Sequence, residues 1–132
     1  MQSVTLSFLR KVLLIDAVAS AAMGLALVAL SVPLATWLSL PQTLLRDAGV
    51  VLLPFAAFVG YVASRANPPR IAVWIIVAVN AIWTIDSFAL LFTDAVQPNA
   101  FGLAFVIAQA IVVGLFAEFE YVGLRKQAVV AA

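Results

Sequence analysis

The residues able to do chemistry in this chain are few. Of its six carboxylates, Asp16, Asp86, Glu118 and Glu120 lie inside long apolar stretches, accompanied by the neutral polar side chains Asn80 and Gln109 and by Trp83. A lone carboxylate at the centre of a membrane helix costs about 2.5–3.5 kcal/mol. Asp86 has no basic residue near its depth, so it must be neutral, paired or hydrated. Two chemistries fit such a group. One is a protonatable carboxyl that binds a cation or couples proton movement; the other is a structural hydrogen bond joining two helices.

Helical geometry sorts these residues into faces. At about 100° per residue, Asp16, Ser20, Gly24 and Ser31 fall within an arc of about 80° that should look into a bundle. Asn80, Thr84 and Ser87 make a second stripe, with Trp83 on its edge and Asp86 about 60° further round. Gln109 shares a face with Gly102 and Glu120, with Val106 at its edge, whereas Glu118 points the opposite way.

Counting from the basic residues gives depth. Asp16 and Glu118 fall in one layer near the cytoplasmic boundary, where water, Arg125 or Lys126 can satisfy Asp16 and the two glutamates can reach solvent. Asp86 and Gln109 are each sixteen residues from a boundary base, Arg70 and Arg125, so they meet in the outer half and an Asp86 to Gln109 hydrogen bond is expected. The candidate polar site is therefore Asp86, Asn80, Trp83 and Gln109, with Asp16 at its inner mouth. For Asn80 and Gln109 the competing role is interhelical hydrogen bonding; for Trp83 it is packing, with the indole N–H given to a bundle partner.

The elements that must position these groups are four apolar runs at roughly 12–31, 44–65, 71–93 and 99–124, which fill almost all of the 132 residues. With 66% hydrophobic residues, 10% charged ones and a mean hydropathy of +1.18, a soluble domain would be covered in apolar surface, so the lipid bilayer is the missing partner. A helix rises about 1.5 Å per residue and the hydrocarbon core is about 30 Å thick, so each run can span it. The runs do not alternate, which removes the β-barrel. The expected fold is all-α: one transmembrane domain over residues 1–132, a four-helix bundle with antiparallel neighbours.

Exclusions follow from composition. A net charge of +1 offers no footprint for nucleic acid, and the absence of Cys and His removes thiol chemistry and the commonest metal and haem ligands, so no metal or cofactor is expected. No nucleophile–base pair is visible, so no catalytic residue and no enzymatic activity are expected. Asp16 interrupts the first run, which also exceeds the usual signal-peptide core of about 7–15 residues, so a retained first span is expected.

Six of the seven bases (Arg10, Lys11, Arg65, Arg70, Arg125 and Lys126) fall on one side, against Arg46 beside Asp47 on the other. The positive-inside rule then puts both termini in the cytoplasm of a bacterial-type plasma membrane. Asn67-Pro68-Pro69 breaks the chain between spans two and three, and Asn99 is a candidate N-cap for span four. Leu34, Trp37 and Leu38, between Pro33 and Pro41, suggest a short helix in the outer interface. Trp74, Tyr61 and Tyr121 fit an aromatic belt at the inner face, and Pro54 should kink span two. Ser20-x3-Gly24, Ala56-x3-Gly60 and Ala110-x3-Gly114 are small-residue faces that allow close helix approach, either within the chain or in a homo-oligomer.

Size and span count are similar to those of the small multidrug-resistance exporters, but those carry a Glu in the first span and a different aromatic pattern around it. The fluoride channels share the size without a matching polar or phenylalanine signature. The pattern Leu9-Arg10-Lys11 to Asp16, Leu52-Leu53-Pro54-Phe55-Ala56, Asn80-Ala81-Ile82-Trp83 and Ala117-Glu118 to Leu124-Arg125 resembles small bacterial four-span membrane proteins of unassigned activity. That resemblance covers most of the chain and implies fold and topology only. Two functions remain: a small-solute or proton-coupled transporter or channel, working as an oligomer, or a non-transporting protein that binds a lipophilic ligand or serves as a subunit of a membrane complex. A hydrated path from Asp16 to Asp86 would favour the first, and a dry bundle with an apolar lateral groove the second.

Overall fold

A computed structural model describes the backbone of residues 2–131 and the side chains of residues 8–126. The described residues form five helices and no strand: α1 (Gln2–Ala29), α2 (Ser31–Leu38), α3 (Gln42–Ser64), α4 (Arg70–Leu90) and α5 (Ala100–Ala131). Four of them are long and apolar enough to cross a membrane, and α2 is the short helix expected between the first two spans. The exterior is apolar on every long helix, with Ile71, Ile85 and Phe101 among its most exposed side chains. These features define a multi-pass integral membrane protein, since such helices satisfy all their backbone groups internally in lipid.

The breaks have local causes. Pro41 and Pro69 stand in extended or polyproline-like backbone immediately before α3 and α4, where a missing N–H costs nothing. Ser39 ends α2 in the left-handed region (φ 52°) and sends its N–H back to the Ala35 carbonyl. Asn99 caps α5 as expected: its Oδ1 accepts from the Gly102 N–H at 2.8 Å. Its Nδ2 also donates to the Trp37 carbonyl at 2.8 Å, which ties α5 to α2. Gly102 is obligatory there, because a Cβ would collide with the Leu38 carbonyl oxygen. The helix α3 continues unbroken through Pro54.

Helix α1 occupies the centre of the arrangement, packed mainly against α3 on one side and α5 on the other, with α4 laid against α5. Helices α3 and α4 barely touch, so the bundle is open along that seam. The close crossing of α1 and α3 comes from Gly24 and Gly49: a Cβ on Gly49 would lie 2.8 Å from the Gly24 carbonyl oxygen. A Cβ on Gly60 would meet Ala17 at 3.8 Å, and one on Gly114 would meet the Thr84 methyl at 3.4 Å. Each of the three small-residue faces thus meets a neighbouring helix of the same chain.

Two apolar clusters fill the interior. One, around Leu9, Leu13, Val59, Ile76 and Leu124, lies at the end that holds both termini; the other, around Leu27, Leu38, Leu45, Leu52 and Val106, lies at the opposite end. Arg10 donates from Nε to the Ala63 carbonyl at 3.1 Å, and Arg70 from a terminal guanidinium nitrogen to the Leu124 carbonyl at 3.1 Å. Arg10 thereby reaches a carbonyl in the last turn of α3, where the backbone dipole favours positive charge, whereas the Leu124 carbonyl lies seven residues before the end of α5.

Candidate functional site

The polar centre of the bundle is built from three helices. Asp16 on α1 lies one turn beyond Leu13, Asn80 on α4 one turn beyond Ile76, and Glu120 on α5 one turn before Leu124. The three polar residues therefore sit directly on the apolar cluster at the termini end. Their side chains are sealed from the exterior, with exposures of 1% for Asp16, 3% for Asn80 and 0% for Glu120. The Asn80 amide nitrogen donates to Asp16 Oδ2 and to Glu120 Oε1, each at 2.9 Å. Sharing one nitrogen holds those two oxygens within about 6 Å of each other. Ser20 donates to the other Asp16 oxygen at 3.0 Å. Glu120 Oε2 is buried with no hydrogen-bond partner.

A second polar group lies further along the same two helices. The Trp83 indole N–H donates to Gln109 Oε1 at 2.8 Å, and Gln109 Nε2 donates to Ser87 Oγ at 3.0 Å and to the Val106 carbonyl at 2.8 Å. Thr84 donates to the Asn80 carbonyl at 3.0 Å and faces the Ala110 carbonyl at 3.2 Å. The expected stripe of Asn80, Thr84 and Ser87 is present, and it faces α5.

Three expectations from the sequence are corrected. The Asp86 to Gln109 hydrogen bond is not formed: Gln109 is at the expected level, but the rotation of α4 presents Trp83 and Ser87, one turn apart, and turns Asp86 outward. Asp16 does not pair with a C-terminal base. Arg125 sits over the Tyr121 ring at 5.8 Å and Lys126 over the Phe8 ring at 4.8 Å, while Asp16 takes its bonds from Asn80 and Ser20. Glu120 is not solvated like Glu118, which is exposed; it is the most enclosed acid in the bundle.

The signal for Glu120 was its helical face, shared with Gln109 and Gly102, both of which point inward. Counting depth from the nearest base obscured it. Those bases are a poor plane of reference, because long arginine side chains such as Arg10 and Arg70 reach the carbonyls of neighbouring helices.

Two apolar recesses flank the polar groups. A cavity of about 290 Å³ is lined by Ser20, Met23, Trp83, Phe105 and Gln109, among others. A larger groove of about 540 Å³ opens along the α3–α4 seam between residues that include Leu44, Val51, Val79, Trp83, Asp47 and Asp86. Trp83 and Gln109 line both, and Ser20 connects the smaller one to Asp16. Among the described residues no group of three or more acids, histidines or cysteines could hold a metal ion. Comparison with protein-family models, with curated proteins and with solved structures finds no match for this chain.

Proposed function

We propose that this protein is a small membrane carrier whose internal carboxyl pair, Asp16 and Glu120, takes up and releases a proton. The observation that carries this reading is the bridge of both carboxyl groups by one Asn80 amide, with one Glu120 oxygen buried and left without a donor. Two full negative charges about 5 Å apart repel by about 3 kcal/mol at an effective dielectric constant of about 20, before any desolvation cost is added. No base reaches the pair among the described residues to offset that. A proton on Glu120 Oε2 removes one charge and turns the orphan oxygen into a donor, for which the Asp16 carboxylate is the neighbouring acceptor. A metal ion fits less well, since the Asn80 group facing both carboxyls is the donor NH2.

Between the pair and Asp86 lie Ser20, the smaller apolar cavity, the Trp83–Gln109 bond and the larger groove. The recesses are apolar, so the carrier reading rests on the buried carboxyl pair, and the apolar lateral groove favours a lipophilic ligand as what the protein binds and releases. The six bases at the termini end support a cytoplasmic location for both termini, and the resemblance to small bacterial four-span proteins supports a bacterial plasma membrane.

The test is carboxyl infrared spectroscopy on the reconstituted protein across a pH step. A protonated-acid C=O band that shifts in D2O is expected in the wild type and absent in Glu120→Gln, which keeps the bond from Asn80. An identical band in Glu120→Gln and Asp16→Asn, or no such band in the wild type at any pH, would overturn the reading.

A further inference from the structure

The groove along the α3–α4 seam has a polarity of its own. Asp47 lies seventeen residues before the end of α3 and Asp86 sixteen after the start of α4, so both carboxylates stand about 25 Å above the termini end, on the two helices that flank the groove. Both line it, while its interior, from Val79 to Leu90 on α4 and Leu44 to Val51 on α3, is mainly apolar, with Ser87 and Gln109 the other polar side chains on it. Arg46 is the one base near that level; its Nε is 3.7 Å from Asp47, and both side chains are more than half exposed. Exposed pairs of that kind contribute about 0–1 kcal/mol and are easily exchanged. Asp86 has no hydrogen-bond or ion-pair partner among the described residues. Asp86 is therefore an uncompensated charge on the groove, and Asp47 beside it is only weakly paired with Arg46.

We infer that this groove binds a single-chain amphipathic cation, with its tail along the apolar floor between α3 and α4 and its ammonium-type head between Asp86 and Asp47. Charge complementarity selects the head group: the two carboxylates repel phosphate and sulfate heads and hold a cation at the depth where a bare Asp86 is costly. The volume of about 540 Å³ is that of a small-molecule site and lies within the usual range of about 300–1,000 Å³. From Val79 to Asp86 the floor runs about 10 Å along α4, the length of a short alkyl chain. Trp83, fixed by its bond to Gln109, lines this floor and adds an aromatic surface that favours cations.

The same tryptophan and glutamine line the cavity that reaches Ser20, the donor to Asp16, so an occupant of the groove touches the residues that lead to the carboxyl pair. As a carrier substrate this occupant rests on the proton-carrier reading; as a bound ligand it does not.

The test uses a protein with Trp83 as its sole tryptophan (Trp37→Phe, Trp74→Phe) in nanodiscs of zwitterionic phospholipid. Quenching of Trp83 is followed on titration with bromodecyl-trimethylammonium, bromodecyl sulfate and bromodecanol. Saturable quenching by the cation alone is expected, weakened at least about tenfold by Asp86→Asn, a change equivalent to about 1.4 kcal/mol. Equal quenching by all three probes, or a curve unchanged by Asp86→Asn, would show that the groove takes an acyl chain without regard to charge and would overturn the proposal. Lack of saturation with any probe would overturn it as well. Glu120→Gln separates the two readings: it abolishes the infrared band of the carboxyl pair while leaving cation-dependent quenching in place.

Discussion

Replacing Asn80 by Ala removes the donor that both buried carboxyl groups share. The amide nitrogen makes two bonds of 2.9 Å, to Asp16 Oδ2 and Glu120 Oε1, and the side chain is 3% exposed, so water cannot take its place without opening the bundle. Hydrogen bonds to charged groups contribute about 1.5–3 kcal/mol each, and leaving a buried charge without its partner costs about 3–5 kcal/mol. The expected loss for Asn80→Ala is therefore about 3–5 kcal/mol. The Thr84 bond goes to the Asn80 backbone carbonyl and survives the substitution. Equilibrium unfolding in mixed dodecyl sulfate and dodecyl maltoside micelles, followed by helical circular dichroism, reads the difference.

The second half of the experiment isolates the cause. In a Glu120→Gln background the glutamine amide can donate to Asp16 in place of Asn80, so the loss from Asn80→Ala should shrink by at least about 1 kcal/mol, the size of coupling seen between residues in one network. A change of less than about 0.5 kcal/mol for Asn80→Ala, the range of ordinary surface substitutions, would refute the argument that this amide holds two carboxyl groups in the interior. Additive effects of the two substitutions would refute the shared bridge while leaving the individual bonds intact.

Further outcomes follow from other contacts. Gly49→Ala should destabilise the protein by about 1–3 kcal/mol in the same assay, because its Cβ meets the Gly24 carbonyl oxygen at 2.8 Å with no flexible side chain to give way. Ser39→Gly should stabilise it by up to about 1 kcal/mol, since the left-handed backbone at φ 52° suits glycine. The chain has no native cysteine, so Asn67→Cys and Asp94→Cys give background-free labels: in intact bacterial cells an impermeant maleimide should label position 94 and not 67, and the reverse pattern would invert the proposed orientation. Trp83→Phe deletes the indole donor to Gln109 and should lower stability by about 1 kcal/mol, measured by unfolding as above.

Much of the architecture was legible in the order of residues. Length and hydropathy established the four spans, Asn67-Pro68-Pro69 marked the break between the second and third, Asn99 announced its cap, and Leu34, Trp37 and Leu38 announced α2. The inward face of α1 through Asp16, Ser20 and Gly24 also followed from spacing alone, with Asp16 and Gly24 buried and Ser20 partly covered, whereas Ser31, expected on the same helix, is buried at the start of α2. These properties are local: they depend on neighbours within one helix and on the cost of placing backbone and charge in lipid.

What the tertiary structure decided is which faces meet. In a membrane helix apolar residues occupy every side, so hydrophobicity fixes depth far better than rotation, and a turn of α4 by one residue's angle exchanges Asp86 for Ser87 as the partner of Gln109. The central position of α1, set by the Gly24–Gly49 approach on one side and by Gly123 against Leu9 on the other, brings Asp16 to Asn80 and Glu120 across 64 and 104 residues of chain. No spacing rule links positions that far apart. Only close packing selects the one arrangement in which Asn80 can donate to both acids, and that same packing leaves α3 and α4 apart, with Asp47 and Asp86 facing the open groove.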